Sequence, residues 1–254
     1  MPEPATIDLN SDLGEGFGAY TMGDDDALLD LVTSANIACG FHGGDPAIMR
    51  RTCERAVAAG VRIGAHIGYR DLAGFGRRAI DADPATVRDE AVYQIAALDG
   101  FARSAGDRVR YVKPHGALYH AAAGDERIAA AVIGAIVDLG TALDLLGPPN
   151  SVLQQAADAA GVRYAVEGFA DRSYTPTGDL TPRRELNAVL DHDSALAQAL
   201  SIATSGAVVA TDGSTVDIFA RSLCVHGDSP GAVAMARTIR AAILDKGIAL
   251  GAFT

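Results

Sequence analysis

The feature that most limits the possible folds is an alternation of short β-type runs with longer helical patterns along the whole chain. Such alternation is typical of α/β proteins, in which helices connect parallel strands. The predicted strands are Thr6–Leu9, Ser34–Cys39, Val61–His66, Val109–Lys113, Ala142–Leu146, Arg163–Glu167 and Ser222–His226. The predicted helices are Asp24–Val32, Pro46–Ala59, Pro84–Ala105, Asp125–Leu139, Ser151–Ala160, Asp193–Thr204 and Ser229–Lys246. Residues 207–219 break the order and predict a hairpin around Asp212-Gly213.

Polar side chains follow nearly every predicted strand, and their placement distinguishes two architectures. In an open doubly wound sheet, only the strands beside the topological switch point should carry a site. In a closed barrel, the C-terminal ends of all the strands meet at one mouth. The sequence therefore predicts an irregular, TIM-like β/α barrel of seven strands. No linker or close repeat divides the chain, so we expect a single domain over residues 1–254.

Residues 34–46, SANIACGFHGGDP, predict the centre of a site. Three glycines permit a tight turn after the strand, and Asp45 is suited to cap a helix that begins at Pro46. The turn holds His42 and Asp45 beside a helix N-terminus, which favours negative charge. Asn36 is placed to point from the same strand into the same space. A core strand needs none of these polar groups.

Two further motifs supply candidate acids and bases. The run DLNSDLGEG (8–16) offers Asp8, Asn10 and Glu15, although turn chemistry alone accounts for Asp12. The segment 64–78 places His66 at a strand end before a glycine-rich loop.

Three later motifs complete the predicted mouth. VKPHGALYH (112–120) places Lys113 at a strand end and His115 just after it, and we expect His120 on the surface. The loop 167–184 is too long for a simple connection, and such loops are usually functional. It offers Glu167, Asp171, Arg172 and Arg183 as candidates for substrate contact or lid closure. The last strand is followed by His226 and Asp228.

Composition narrows the classes of partner. The net charge is −11 and the 21 basic residues are scattered, so a basic face for nucleic acid is not expected. No secretory signal or membrane-length apolar run is visible. The three cysteines have no zinc-like spacing. We therefore expect a cytoplasmic protein, and self-association as a homo-oligomer remains open.

At these motifs the chain resembles the LamB/YcsF family of 5-oxoprolinase A subunits. The resemblance rests on DLNSDLGEGFG, SANIACGFHGGDP, GAH-GY-DL-GFGRR, VKPHGALY, EGFADR-Y and CVHGD, which run in order over nearly the whole chain. Ile67 stands where a proline is usual, and His120 where an asparagine is common. The resemblance implies a barrel related to those of glycoside hydrolases and deacetylases. It also implies conversion of 5-oxo-L-proline to L-glutamate with ATP hydrolysis, together with subunits B and C.

This activity suggests roles for the candidate residues. Asp8, Glu15 or Asp45 is expected to activate water, and the sequence does not decide which. His42, His66 and His115 are expected to carry protons, and Lys113 to stabilise an oxyanion or phosphate. The substrate contacts are expected from Asn10, Asn36, Glu167, Arg172, Arg183, His226 and Asp228. We expect substitution of His42 or Lys113 to affect turnover far more than folding, since both should border a solvated cavity.

Two rival functions stay open. The first is a metal-dependent amidohydrolase or deacetylase that acts alone, with ligands from Asp8, His42, His66, His115 and His226. The second is a non-catalytic subunit that delivers substrate to its partners. No Walker or dinucleotide motif is present, so ATP should be used together with the partners. Because ATP activation supplies what a Lewis acid otherwise would, we expect no requirement for a transition metal.

Overall fold

The computed structural model describes residues 6–140, 142–227 and 231–254. The strands are β1 (Thr6–Leu13), β2 (Ser34–Ala38), β3 (Arg62–Ile67), β4 (Tyr111–Pro114), β5 (Asp144–Gly147), β6 (Tyr164–Phe169), β7 (Ala207–Val209), β8 (Thr215–Asp217), β9 (Ser222–Cys224) and β10 (Ala249–Leu250). The helices are α1 (Asp25–Leu29), α2 (Pro46–Ala59), α3 (Pro84–Ser104), α4 (Gly116–Gly124), α5 (Glu126–Asp138), α6 (Val152–Ala160), α7 (His192–Ser205) and α8 (Ala232–Asp245). No helix in these ranges has both the length and the apolar character needed to cross a membrane.

Seven parallel strands form a closed barrel. Each of β1 to β5 pairs with the next strand, β6 pairs with β9, and β9 pairs with β1. The closing pair sets Asp8 opposite Ser222 and Asn10 opposite Cys224. This closure confirms the predicted seven-stranded barrel and excludes the open sheet. Strand β10 lies outside the closed circuit as a further parallel partner of β1.

The first strand shows how the sequence separates a polar barrel interior from an apolar outer layer. Leu9 and Leu13 are fully buried in the hydrophobic core, whereas Asn10 and Asp12 hydrogen-bond to side chains of the neighbouring strands β9 and β2. Successive side chains of a strand point to opposite faces, so one run of residues serves both layers. The prediction that this strand ends at Leu9 is wrong, because the alternation continues to Leu13.

Other elements differ less from the predictions. The predicted hairpin is confirmed, since β7 and β8 pair antiparallel on either side of Asp212-Gly213. Helix α4 was not predicted; it begins directly after His115 and buries Leu118 and Tyr119. The first two residues of the predicted last helix lie outside the described residues.

Helix α2 begins as the sequence predicts. The Asp45 carboxylate accepts hydrogen bonds from the backbone N–H groups of Ala47 (2.8 Å) and Ile48 (3.0 Å). It also accepts one from the N–H of Gly18 (2.8 Å) and so ties the β1 loop to the helix. These bonds satisfy donors that an uncapped helix start leaves unpaired. They lower the pKa of Asp45 from its ordinary value.

We predict that Asp45→Ala lowers the free energy of unfolding by about 1 kcal/mol, the usual loss for an N-cap. Chemical denaturation measures this difference. Asp89→Ala, at an exposed position in α3, is the matched control and should change stability by less than about 0.5 kcal/mol. Equal stabilities of the Asp45 variant and the unmodified protein would contradict the capping role.

Candidate active site

The C-terminal ends of the barrel strands surround one cavity of ≈ 340 Å³. Parallel strands of a barrel direct these ends to the same mouth. The predicted site residues in its lining are His66, Lys113, His115, Arg172, Arg183 and His226. Glu15, His42 and Glu167 lie next to that lining, since Glu15 and His42 contact His115, and Glu167 contacts Lys113.

Three histidines and Glu15 form a buried cluster beside the cavity, which we call the histidine cluster. His115 Nδ1 lies 3.0 Å from His66 Nε2 and 3.2 Å from Glu15 Oε1. His42 Nε2 lies 3.1 Å from the same carboxylate oxygen. The His42 ring stacks flat on that of His115, with 3.7 Å between centroids. The segments after β1, β2 and β4 thus bring Glu15, His42 and His115 next to His66 on β3.

Glycines allow this close packing. A Cβ on Gly68 would lie 2.7 Å from His42 Nδ1. A Cβ on Gly76 would lie 2.7 Å from the His42 side chain and 2.8 Å from that of His115, and Gly76 also has a positive φ of 62°. Only glycine fits both restrictions without strain. The glycine-rich segment after His66 therefore serves the imidazoles directly.

Backbone carbonyls determine the tautomers of two imidazoles. His66 Nδ1 lies 3.1 Å from the carbonyl oxygen of Lys113, and His115 Nε2 lies 2.8 Å from that of Phe75. A carbonyl only accepts hydrogen bonds, so both of these nitrogens carry a proton and donate. In the neutral rings, the other two nitrogens, which lie 3.0 Å apart, each hold a lone pair.

Burial keeps the imidazoles of His42 and His115 neutral. Burial, assisted by His115, lowers the pKa of His42 to about 3. Burial also lowers the pKa of His115, although Glu15 opposes this shift. For Glu15, burial opposes ionisation, but hydrogen bonds from His115, when its Nδ1 carries a proton, and from His42 outweigh burial and hold the pKa of Glu15 below the usual range. Neutral imidazoles therefore face an ionised carboxylate near pH 7.

Lys113 lies inside the barrel between two carboxylates. Its Nζ is 2.8 Å from Asp12 and 2.7 Å from Glu167, and its side chain is only 2% exposed. Burial opposes the ammonium charge, but Asp12 leads the interactions that outweigh it and raise the pKa of Lys113 well above its ordinary value. Lys113 borders the cavity as expected, but both of its ion-pair partners are buried with it, so its loss should affect folding as well as turnover.

Asp12 is the site residue that sequence reasoning missed. Its carboxylate lines the cavity, accepts from Lys113 Nζ and Asn36 Nδ2, and lies 3.3 Å from His66 Nε2. Burial opposes its ionisation, but His66 and Lys113 outweigh burial and hold the pKa of Asp12 well below its usual range. The signal was present in the sequence: Asp8, Asn10 and Asp12 have the period of two that marks one face of a strand.

Across the cavity, His226 forms a second acid–base pair. Its Nδ1 lies 2.8 Å and 2.9 Å from the two carboxylate oxygens of Asp171, and its ring stacks against Phe169. Since the carboxylate of Asp171 fixes a proton on Nδ1, Nε2 is left as the ring's other proton-exchanging atom. Burial opposes ionisation of Asp171, but His226 outweighs it and lowers the pKa of that carboxyl.

Asp8, Asn10 and Asn36 lie in a buried network on the interior face of the barrel, and they are absent from the cavity lining. Tyr111 donates to Asn36 (2.6 Å), Asn36 to Asn10 (2.7 Å), Asn10 to Ser222 (2.6 Å), and Ser222 to Asp8. Burial raises the pKa of Asp8 to about 6, although hydroxyl donors lower it in part. These residues support the site from within the barrel.

The long loop after β6 places its two arginines differently. Arg172 lines the cavity, but its guanidinium donates to the carbonyl oxygens of Ala188 (3.0 Å) and Thr181 (2.5 Å). Burial lowers its pKa to about 10. Arg172 thus folds the loop back on itself, whereas Arg183 lines the cavity from an exposed position.

Besides Asp8, Asn10 and Asn36, the predicted site residue Asp45 is also absent from the cavity lining. Its carboxylate is occupied as the cap of α2. Asp228 lies outside the described residues. His120 is exposed, as predicted, but it also belongs to the cavity rim.

The chain is similar to known proteins over nearly its whole length. The model of the LamB/YcsF family matches residues 7–254. The A subunit of 5-oxoprolinase from Nocardia farcinica is 64% identical over 247 residues, which cover 97% of this chain and 99% of the relative.

Solved structures are also similar to this chain. The lactam utilization protein from Thermus thermophilus is 40% identical and has a TM-score of 0.92, covering 98% of this chain and all of the other. A family 4 carbohydrate esterase from Streptomyces lividans has a TM-score of 0.52 at 13% identity, over 99% of this chain and 94% of the esterase, and shares the fold alone. The predicted relation to deacetylase barrels is therefore confirmed for the fold. With the family model and the relatives both spanning the chain, it belongs to the LamB/YcsF family.

Proposed function

We propose that this chain is the A subunit of an ATP-dependent 5-oxoprolinase, which hydrolyses 5-oxo-L-proline to L-glutamate with subunits B and C. The observation that carries the proposal is the convergence of an ionised carboxylate, neutral imidazoles and an arginine on one cavity of ≈ 340 Å³. Such a cavity suits a small anionic lactam, and relatives that span this chain are named as A subunits of 5-oxoprolinase.

The reaction needs two waters and one phosphoryl group. Resonance makes the lactam carbonyl a poor electrophile. Attack of its oxygen on the γ-phosphorus of ATP forms the new P–O bond, releases ADP and activates the ring carbon. Water then adds to that carbon, and the C–N bond breaks as the nitrogen takes up a proton, which gives γ-glutamyl phosphate. A second water cleaves this acyl phosphate to glutamate and inorganic phosphate.

Glu15 is the best placed of the three carboxylates considered as the base. Asp45 caps α2 and Asp8 is bonded to hydroxyls inside the barrel. Glu15 alone of the three contacts the cluster's imidazoles, and His66 and His115 line the cavity. A proton taken from water at an imidazole would therefore be stabilised by the buried carboxylate.

Two other lining residues, His226 and Arg183, suit the leaving nitrogen and the substrate carboxylate. The His226–Asp171 pair has the arrangement of a general acid, with the imidazole ring oriented by a buried carboxylate. Arg183 is placed to bind the substrate carboxylate, because Arg172 is already bonded to backbone carbonyls. Lys113 holds Asp12 and Glu167 in place and presents positive charge to the lining.

ATP activation is assigned to the assembly with B and C. The sequence contains no Walker motif. All three cysteines are buried and unpaired, which agrees with the reducing cytoplasm proposed for the protein.

We predict that turnover requires the partner subunits B and C. The purified chain should form little or no glutamate from 5-oxoproline and ATP, because it lacks the phosphoryl-transfer apparatus. Adding subunits B and C should restore turnover, measured as glutamate formed per ATP consumed. Steady ATP-dependent turnover by the chain alone would overturn the proposal, and release of acetate from acetylated sugars would favour the deacetylase rival.

We predict that Glu15→Gln lowers turnover in the reconstituted assembly by about 10²–10⁴-fold, the usual contribution of an acid–base group. The substitution keeps the shape of the side chain, so assembly with B and C should persist. Glu126→Gln, an exposed position at the start of α5, is the matched control and should keep full turnover. Full activity of the Glu15 variant would indicate the non-catalytic delivery role.

Lys113→Met should behave differently, because it leaves two carboxylates buried without their cation. We expect the free energy of unfolding to fall by about 3–5 kcal/mol, as when one partner of a buried ion pair is removed. Denaturant titration of the chain alone measures this loss. A variant as stable as the unmodified protein would show that the ion pairs contribute no net stability.

A further inference from the structure

We propose that His66 Nε2, His115 Nδ1 and Glu15 Oε1 form a binding site for a divalent metal ion of the zinc type, open to the cavity. The proposal concerns the same atoms as the proton-accepting role given above: a bound ion would take the lone pairs that otherwise accept a proton and would activate the water in their place. It departs from the expectation, drawn from the sequence, that no transition metal is needed. The reason is an arrangement of lone pairs that is visible only in three dimensions.

The tautomers of His66 and His115 are the first observation that supports a metal site. Donation to the Lys113 and Phe75 carbonyls fixes the protons on the outer nitrogens of His66 and His115. Two lone pairs then face each other at 3.0 Å, with a carboxylate oxygen of Glu15 3.2 Å from one and 3.7 Å from the other. Such a group of acceptors repels itself unless a cation lies between them.

The separations match a metal coordination shell. Ligand atoms about 2.0–2.1 Å from a tetrahedral zinc ion lie about 3.3 Å from one another. The three edges of this triangle are 3.0, 3.2 and 3.7 Å. Two imidazoles and one carboxylate are a common donor set of catalytic zinc sites, in which a further position stays open. Here His66 and His115 line the cavity, so that position faces it.

The groups that surround the three proposed ligands hydrogen-bond to them, as the outer shell of a metal site does. Metal-binding histidines usually donate their second N–H to a carbonyl or carboxylate, as both of these imidazoles do. His42 Nε2 lies 3.1 Å from Glu15 Oε1, and its ring lies flat against His115. We therefore assign His42 as the donor that orients Glu15. Its Nδ1 has no hydrogen-bond partner among the described residues, so it lacks the support expected of a ligand.

A second group of possible ligands is less suited to a metal ion. Asp12, Cys224 and His226 also bring ligand atoms within 4.8 Å of one another. However, Lys113 Nζ lies 3.4 Å from Cys224 Sγ, and a metal ion there would meet the ammonium. Burial also raises the pKa of the Cys224 thiol, which opposes the thiolate that a metal requires.

The test is metal binding by the purified chain after removal of bound metal with a chelator. Isothermal titration calorimetry with Zn²⁺ should give one bound ion per chain. Bound Zn²⁺ should also raise the melting temperature in a thermal scan. Co²⁺ should give the intense visible absorption of a tetrahedral site. Binding is measured without ATP or partners, so its failure would leave the proposed reaction untouched.

Variants locate the ion. Glu15→Gln and His115→Ala should weaken Zn²⁺ binding by more than the roughly 10–100-fold that loss of an outer-shell partner causes, and His42→Ala should fall within that range. His192→Ala, at an exposed histidine in α7, should bind normally. If the unmodified chain binds neither ion, or if the first two variants bind as well as the His192 variant, the proposal is wrong. A proton shared by His66 and His115 would then balance the lone pairs.

Discussion

The ammonium of Lys113 is the contact on which the arrangement of the barrel interior depends. It bridges Asp12 on β1 and Glu167 on β6, strands that lie on different sides of β4 around the closed sheet. Through Asp12 the same network reaches Asn36 and His66, and the Lys113 carbonyl fixes the proton of His66. One residue thus links the ion pairs inside the barrel to the tautomer of a cavity imidazole. A local change at Lys113 would therefore disturb both.

Burying charged side chains inside the barrel costs free energy, so their presence there needs a reason other than stability. Burying an ion pair often stabilises a protein no better than packed apolar side chains of the same volume. Several charged or polar side chains nevertheless occupy the barrel interior, among them Asp8, Asn10, Asp12, Asn36, Lys113 and Glu167. The apolar core lies in another layer, represented on β1 by Leu9 and Leu13. The apolar layer thus contributes burial of its own, while the polar interior of the barrel supplies groups for chemistry.

Much of the fold was predictable because its signals are local. The alternation of elements, the cap at Asp45 and the polar strand ends each depend on a few neighbouring residues. The role of Asp12 was not recognised, because its assignment depends on how far β1 extends. The burial of Lys113 was not predictable either, since it depends on register across three strands. The opposed lone pairs of His66 and His115 depend on carbonyls from two other segments, so no sequence pattern reveals them.

The charges around the cavity link the two proposals. Asp12 and Glu15 have lowered pKa values and are ionised near pH 7, while His42 and His115 are neutral. Lys113 is already shared between Asp12 and Glu167, so it does not also neutralise Glu15. A cation held by Glu15, His66 and His115 would pair with the Glu15 carboxylate and place positive charge where water attacks an activated carbonyl. The ion proposed from the lone pairs would therefore act at the same position in the barrel as the reaction proposed for the cavity.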